Sequence, residues 1–149
     1  MGLILLLSSI VFVMDRFIKV IITQVIALGE NISIIPNFFS ITNVHNDGAA
    51  FSVLSGNRIF LIIMTILFLG IIYFYFMKGK QLKWLEKISL SLLIGGIFGN
   101  LFDRIFFGYV IDYLSFYLLG YPFPIFNLAD TCIVISIFFI MIETFKERD

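Results

Sequence analysis

Of 149 residues, 60% are hydrophobic, 13% are charged and 19 are Phe, and ten basic side chains cancel ten acidic ones. With a mean hydropathy of +1.07 the chain lacks the polar surface a soluble core of this size needs, and it lies further still from the composition of disorder. The balanced charge excludes a basic nucleic-acid face, and one Cys132 and one His45 leave no internal disulfide or multi-histidine metal site to expect. The composition is that of a single integral membrane domain over residues 1–149, all-α in class, with no cofactor and no metal.

Four apolar stretches, residues 3–25, 59–77, 88–107 and 126–145, are long enough to cross a bilayer as helices. The first does not resemble a cleaved leader: Met1-Gly2-Leu3 carries no basic residue, and Asp15, Arg16 and Lys19 interrupt the apolar run. Between the first and second spans, residues 26–57 read as extended pieces at 32–35, 38–44 and 49–54. Pro36 separates the first two, and Asp47-Gly48 supplies a turn. A small sheet on the outer surface is expected there.

Lys78, Lys80, Lys83 and Lys87 separate the second and third spans, and Lys146 and Arg148 follow the fourth. Basic loops stay inside, so both termini and the lysine loop are expected in the cytoplasm. Segments 26–57 and 108–125 then face outward. The second of these holds Tyr109, Tyr113, Tyr117 and Tyr121, rings suited to an interface where the hydroxyl stays wet.

The informative side chains are those lipid should reject. A charge near the bilayer centre costs on the order of 3 kcal/mol, so each needs a partner or a role. Asp15 and Lys19 share a helix face four residues apart and can form a structural ion pair. Asp103 and Arg104 are adjacent, cannot face each other, and must find partners on other spans. Gly95, Gly96 and Gly99 suit close helix contact. Asp112 lies just past the outer end of the third span, and Asp130 one turn into the fourth, roughly 6 Å along it.

Two carboxylates at one half-wet depth resist ionising together and tend to share a proton. Such a pair suits peptide hydrolysis, one acid activating water and the other polarising the carbonyl. On spacing alone a proton relay or an ion site remains open.

Five blocks narrow the choice. They are Asp15-Arg16-Phe17-Ile18-Lys19; Asn46-Asp47-Gly48-Ala49-Ala50-Phe51-Ser52; Gly99-Asn100-Leu101-Phe102-Asp103-Arg104; Val110-Ile111-Asp112-Tyr113; and Phe123-Pro124-Ile125-Phe126-Asn127-Leu128-Ala129-Asp130. In this order on four spans they closely resemble the bacterial lipoprotein signal peptidases (signal peptidase II). The resemblance implies an intramembrane aspartic endopeptidase of the inner or plasma membrane, with its site near the outer face. Its substrates would be diacylglyceryl-modified prolipoproteins cut just before the lipidated cysteine, and the cyclic peptide globomycin would inhibit it.

By the same resemblance Asp112 and Asp130 are the catalytic pair. Asp15, Lys19, Asn46, Gly48, Asn100, Asp103, Arg104, Asn127 and Ala129 support the site or bind substrate. The implied fold adds a small extracytoplasmic sheet after the first helix and a short interfacial helix before the fourth. Membrane lipids are the other expected partners, and a monomer is expected. Two positions depart from the family pattern: Tyr113 stands where Phe is usual, adding a hydroxyl at the interface, and Arg16 stands where Gln is common, a charge whose partner the sequence does not name.

Overall fold

The computed structural model describes residues 1–49 and 53–146. In chain order it runs α1 (Gly2–Val25), β1 (Asn31–Ile35), β2 (Phe39–Asn46), α2 (Arg58–Ile72, continued by a π-helical turn over Tyr73–Met77), α3 (Trp84–Phe106), β3 (Val110–Leu118), β4 (Tyr121–Pro122) and α4 (Leu128–Lys146). Among the described residues three helical segments, Arg58–Met77, Trp84–Phe106 and Leu128–Phe145, are long and apolar enough to cross a membrane. With 24 residues α1 matches them in length, but it carries the charges of Asp15, Arg16 and Lys19.

α3 packs between α1 and α4, and its glycines explain why it can. A methyl group on Gly95 would lie 2.7 Å from the Ser8 carbonyl oxygen of α1. One on Gly96 would lie 2.5 Å from the Ala129 carbonyl oxygen of α4, and one on Gly99 2.6 Å from Asp15 Oδ2. Backbones approach this closely only where side chains are missing. α2 lies to the side with only Leu61 and Ile72 buried. At its start Arg58 donates from Nε to the Arg104 carbonyl at 2.7 Å and from Nη2 to the Ile105 carbonyl at 2.6 Å. These are carbonyls of the last turn of α3, which has no further turn to bond them, and the positive guanidinium also suits the negative end of the helix dipole.

The strands form one antiparallel sheet in the order β1-β2-β3-β4. Between β2 and β3 the register shifts after Ile41 and resumes with Val44 opposite Asp112 and Asn46 opposite Val110. The bulge turns two successive side chains, Thr42 and Asn43, into the interior. There the Thr42 hydroxyl donates to the Glu30 carbonyl at 2.6 Å and Asn43 Nδ2 donates to the Ile26 carbonyl at 2.8 Å. The sheet is thereby fastened to the end of α1.

Two expectations need correction. The segment 108–125 holds no interfacial helix among the described residues; it is β3, a two-residue turn and β4. Its β-branched and aromatic residues favour a pleated surface, β2 supplies the backbone partners, and Leu119 (φ 52°) with Gly120 (φ 84°) closes the hairpin in the manner of a type I′ turn. The third extended piece, 49–54, falls partly on residues 50–52, outside the described residues, and 53–56 form a turn. The first two pieces are borne out as β1 and β2.

Candidate active site

The site grows from the start of α4. Asn127 is its N-cap: Asn127 Oδ1 accepts the Asp130 backbone N–H at 2.9 Å, and Asp130 Oδ2 accepts the Asn127 backbone N–H at 3.2 Å. This is a reciprocal capping box with Asp in the third helical position. The intervening donors go to other elements. The Leu128 N–H donates to the Tyr113 hydroxyl at 3.0 Å, and the Ala129 N–H donates to Asp15 Oδ1 at 3.1 Å. The unpaired donors of the first turn are thus satisfied from β3 and α1, and the negative groups sit where the helix dipole favours them.

β3 brings the second carboxylate alongside. Backbone bonds between Leu114 and Phe126 (3.1 Å and 2.8 Å) lay the approach to α4 against β3, and this puts Asn127 beside Asp112. Asn127 Nδ2 donates to Asp112 Oδ1 at 2.7 Å, and its two hydrogens also lie within reach of Asn100 Oδ1 (3.1 Å) and the Ile111 carbonyl (3.3 Å). Asn46 Nδ2 at the end of β2 donates to Asp112 Oδ2 at 2.8 Å, and Asn100 Nδ2 donates to Asp130 Oδ1 at 2.7 Å. Three amides, from β2, α3 and the cap of α4, therefore hold the two carboxyl groups at one place.

Both carboxyl groups line a cavity of about 550 Å³ with Asn46, Ala49, Asn100 and Arg104. Its other wall is apolar, made by Phe123, Pro124, Ile125 and Phe126 and by Ile133, Val134 and Ile135 of α4. Arg104 Nη2 donates to the carbonyl of buried Gly48 at 2.8 Å, so the loop after β2 is tied over this cavity. Burial first, and then the charge of Asp130, push the Asp112 carboxyl up to about 6, against the pull of the Asn46 and Asn127 hydrogen bonds.

Behind the cavity lies an ion cluster with no exposure at Asp15, Lys19 or Asp103. Lys19 Nζ lies 2.8 Å from Asp15 Oδ2 and 2.8 Å from Asp103 Oδ2, and donates to Asn100 Oδ1 at 3.0 Å. The pairing of Asp15 with Lys19 is as expected. Arg16 pairs with Asp103 Oδ1, which names the partner the sequence could not. The cluster reaches β3 through Asp103 Oδ2, which accepts the Ile111 backbone N–H at 3.3 Å.

All eleven expected site residues meet here, Gly48 and Ala129 through their backbones. Tyr113 needs correcting: its hydroxyl is not wet at an interface but buried, accepting the Leu128 N–H, and burial pushes its ionisation upward. His45 is exposed on β2, stacked on Tyr109 with ring centroids 3.6 Å apart. Cys132 is buried as a small apolar residue. Sequence reasoning missed the support from Tyr113, Arg16 and Arg58, and the hydroxyl of Tyr113 next to the aspartate block was the available signal.

The profile of the family described as signal peptidase (SPase) II matches residues 7–146. The chain belongs to the signal peptidase II family. It is 36% identical over 143 residues to the lipoprotein signal peptidases of Staphylococcus aureus strains JH9 and Newman, an alignment covering 96% of this chain and 88% of each relative. Two solved structures, each described as a bacterial membrane enzyme obtained by the in meso method, share the fold. At 2.3 Å and 1.9 Å resolution they give TM-scores of 0.91 and 0.85 with 35% identity. The likeness spans 100% and 97% of this chain and 91% and 93% of theirs. Membership in the signal peptidase II family makes the protein a peptidase, and its three long apolar helices suit a membrane enzyme.

Proposed function

We propose that this chain is the aspartic endopeptidase that removes signal peptides from diacylglyceryl-modified prolipoproteins, cutting before the lipidated cysteine. The observation that carries the reading is the convergence of Asp112 and Asp130, from a strand and a helix, on one cavity with Asn127 bonded to both. In the reaction one carboxylate takes a proton from water while the oxygen attacks the scissile carbonyl carbon. The protonated partner donates to the carbonyl oxygen, and the tetrahedral intermediate collapses as a proton passes to the departing amine. Arg104 and the amides of Asn46, Asn100 and Asn127 orient the acids and substrate with dipoles fixed in advance. Arg104 Nε has no hydrogen-bond partner among the described residues, which leaves a donor for a peptide carbonyl. The apolar wall from Phe123 to Phe126 and along α4 suits the lipid-tethered part of the substrate.

In this reading α1 also crosses the bilayer, its charges neutralised inside the bundle, so the protein has four spans. The lysines between α2 and α3 mark the cytoplasmic side, and the cavity and sheet lie at the outer face, where the substrate's acyl chains hold it. The test is to incubate the purified protein with a diacylated prolipoprotein and determine the product masses. Cleavage before the modified cysteine, resistant to EDTA and stopped by globomycin, is expected. Asp112→Asn and Asp130→Asn should each lose at least about 1,000-fold in rate while remaining folded. Near-normal cleavage by either variant would reject the pair.

A further inference from the structure

The charged side chains of the sheet and its connections gather away from one end. Glu30 precedes β1, Asp47 follows β2 and Asp112 lies in the first half of β3, but no Asp, Glu, Lys or Arg occurs in residues 31–46 or 113–127. The pairing of Phe39 with both Ile35 and Phe116 brings the β1–β2 turn and the β3–β4 turn together at that uncharged end. There the Tyr117 N–H donates to the Phe38 carbonyl at 2.8 Å, and the Phe38 and Phe116 rings meet edge to face with centroids 5.7 Å apart. The two turns form one body.

That body is apolar and uncovered. Ile34, Ile35 and Phe38 from one hairpin and Leu118, Leu119 and Tyr121 from the other are exposed, Leu119 at 99% and Tyr121 at 76%. Leu119 also holds φ at 52°, a region that side chains with a Cβ enter at a cost. A leucine placed there gains no packing in return, and in water a glycine or asparagine would serve the turn better. The near half of the sheet is covered instead, Ile111 and Tyr113 packing with Ile22 and Ile26 at the end of α1. Leu114 pairs with Phe126 on the approach to α4, and Leu119 lies roughly 17 Å further along at the rise of a strand. The far end is tied to the cavity all the same. Phe116 stacks on Phe126 at 5.7 Å and its carbonyl accepts the Phe123 N–H at 2.8 Å, and both partners line the cavity.

We propose that the paired tips, residues 35–38 and 118–121, are a membrane anchor: they enter the headgroup region of the outer leaflet beside the bundle and, through Phe116, hold the apolar wall of the cavity at the height of the neighbouring acyl chains. The inference rests on the outward orientation given above. The occupant is lipid, because the apolar surface runs on from the tips through Phe123 to the exposed Val134 and Ile135 of α4, with no charge to mark a soluble partner. Leucine, isoleucine and tyrosine together suit that zone, where a ring is buried with its hydroxyl wet.

The experiment places a fluorophore on the tips. The single tryptophan, Trp84, is exposed at the start of α3, so Trp84→Phe gives a silent background. In it Leu119→Trp, Tyr121→Trp and, as a water-facing reference, Asp47→Trp are purified and reconstituted in vesicles of phosphatidylcholine and phosphatidylglycerol. At 119 and 121 emission should be blue-shifted from the reference and iodide quenching at least about threefold weaker, with lipids brominated near the headgroup quenching better than lipids brominated near the chain end. Emission and iodide quenching equal to the reference would overturn the anchor. So would a blue shift that brominated lipids do not quench and that fades as lipid is added, the mark of a second copy on this face. Should Leu119→Trp fail to fold, Tyr121→Trp decides, since it exchanges one exposed ring for another. The spectra read the same whichever leaflet is entered. Reporter fusions after the C-terminus that prove active outside would overturn the outward orientation instead, and the two failures are thereby told apart.

Discussion

At the scale of single residues, Asp112 shows how burial turns an ordinary carboxyl into a group that titrates at a useful pH. Only 3% of its surface is exposed, so ionisation means giving up hydration for two amide donors and the company of Asp130. Its carboxyl titrates at about 6 in the fold and near 3.8 in an unfolded chain. The fold therefore binds this proton more tightly than the unfolded chain does. That share of stability is complete below about pH 4 and is lost as pH rises through about 6. The thermal midpoint of the wild type in detergent should carry this downward trend, and Asp112→Asn should flatten it. An unchanged slope would mean the carboxyl is not held as described. Tyr113 makes the complementary point, since one hydroxyl caps a helix that a Phe would leave with a half-buried N–H lacking this acceptor.

At the scale of elements, the position of α3 decides whether the site assembles. Asn100, Asp103 and Arg104 reach their partners because Gly95 and Gly99 admit α1, and Gly96 admits the first turn of α4. Gly96→Ala would press a methyl against the Ala129 carbonyl, backbone that cannot swing aside. We expect it to lower the thermal midpoint by several degrees, on the order of 2 kcal/mol, and to cut activity at least about tenfold by shifting Asp130. Gly70→Ala is the control: a methyl there meets nothing within 4 Å. It should leave cleavage unchanged and at most raise stability by about 1 kcal/mol. Equal losses in both variants would remove α3 packing as the reason the site forms.

At the scale of the whole molecule, legibility followed chemistry more closely than geometry. The helices stood out because a run of twenty apolar residues has few other uses, and the polar blocks stood out because each charge in such a run needs a reason. β3 did not, because Val110 through Tyr113 are all buried, and a strand covered on both faces loses the alternation by which strands are recognised. Its turn was masked as well, since Leu119 at positive φ is a rare occupant of that region. The partner of Arg16 lies 87 positions away and depends on which face of α3 meets α1, a choice made by glycines rather than by the charges. The orientation proposed here has its own check: reporters fused after the C-terminus or within 78–83 should be active in the cytoplasm, and tags near Asp47 should be accessible from outside. The inverse pattern would turn the enzyme over.

The peripheral setting of α2 carries a consequence for how this protein can diverge. None of the described residues lining the cavity comes from that helix, and Arg58 fastens its start to the last turn of α3. Beyond that rivet, and the packing of Leu69 and Ile72 against Leu90, Leu93 and Ile97 of α3, the helix presents exposed apolar side chains, an outline that answers to the surrounding acyl chains. Its length and girth are free to track hydrophobic thickness from one species' bilayer to the next, at no expense to the chemistry next door.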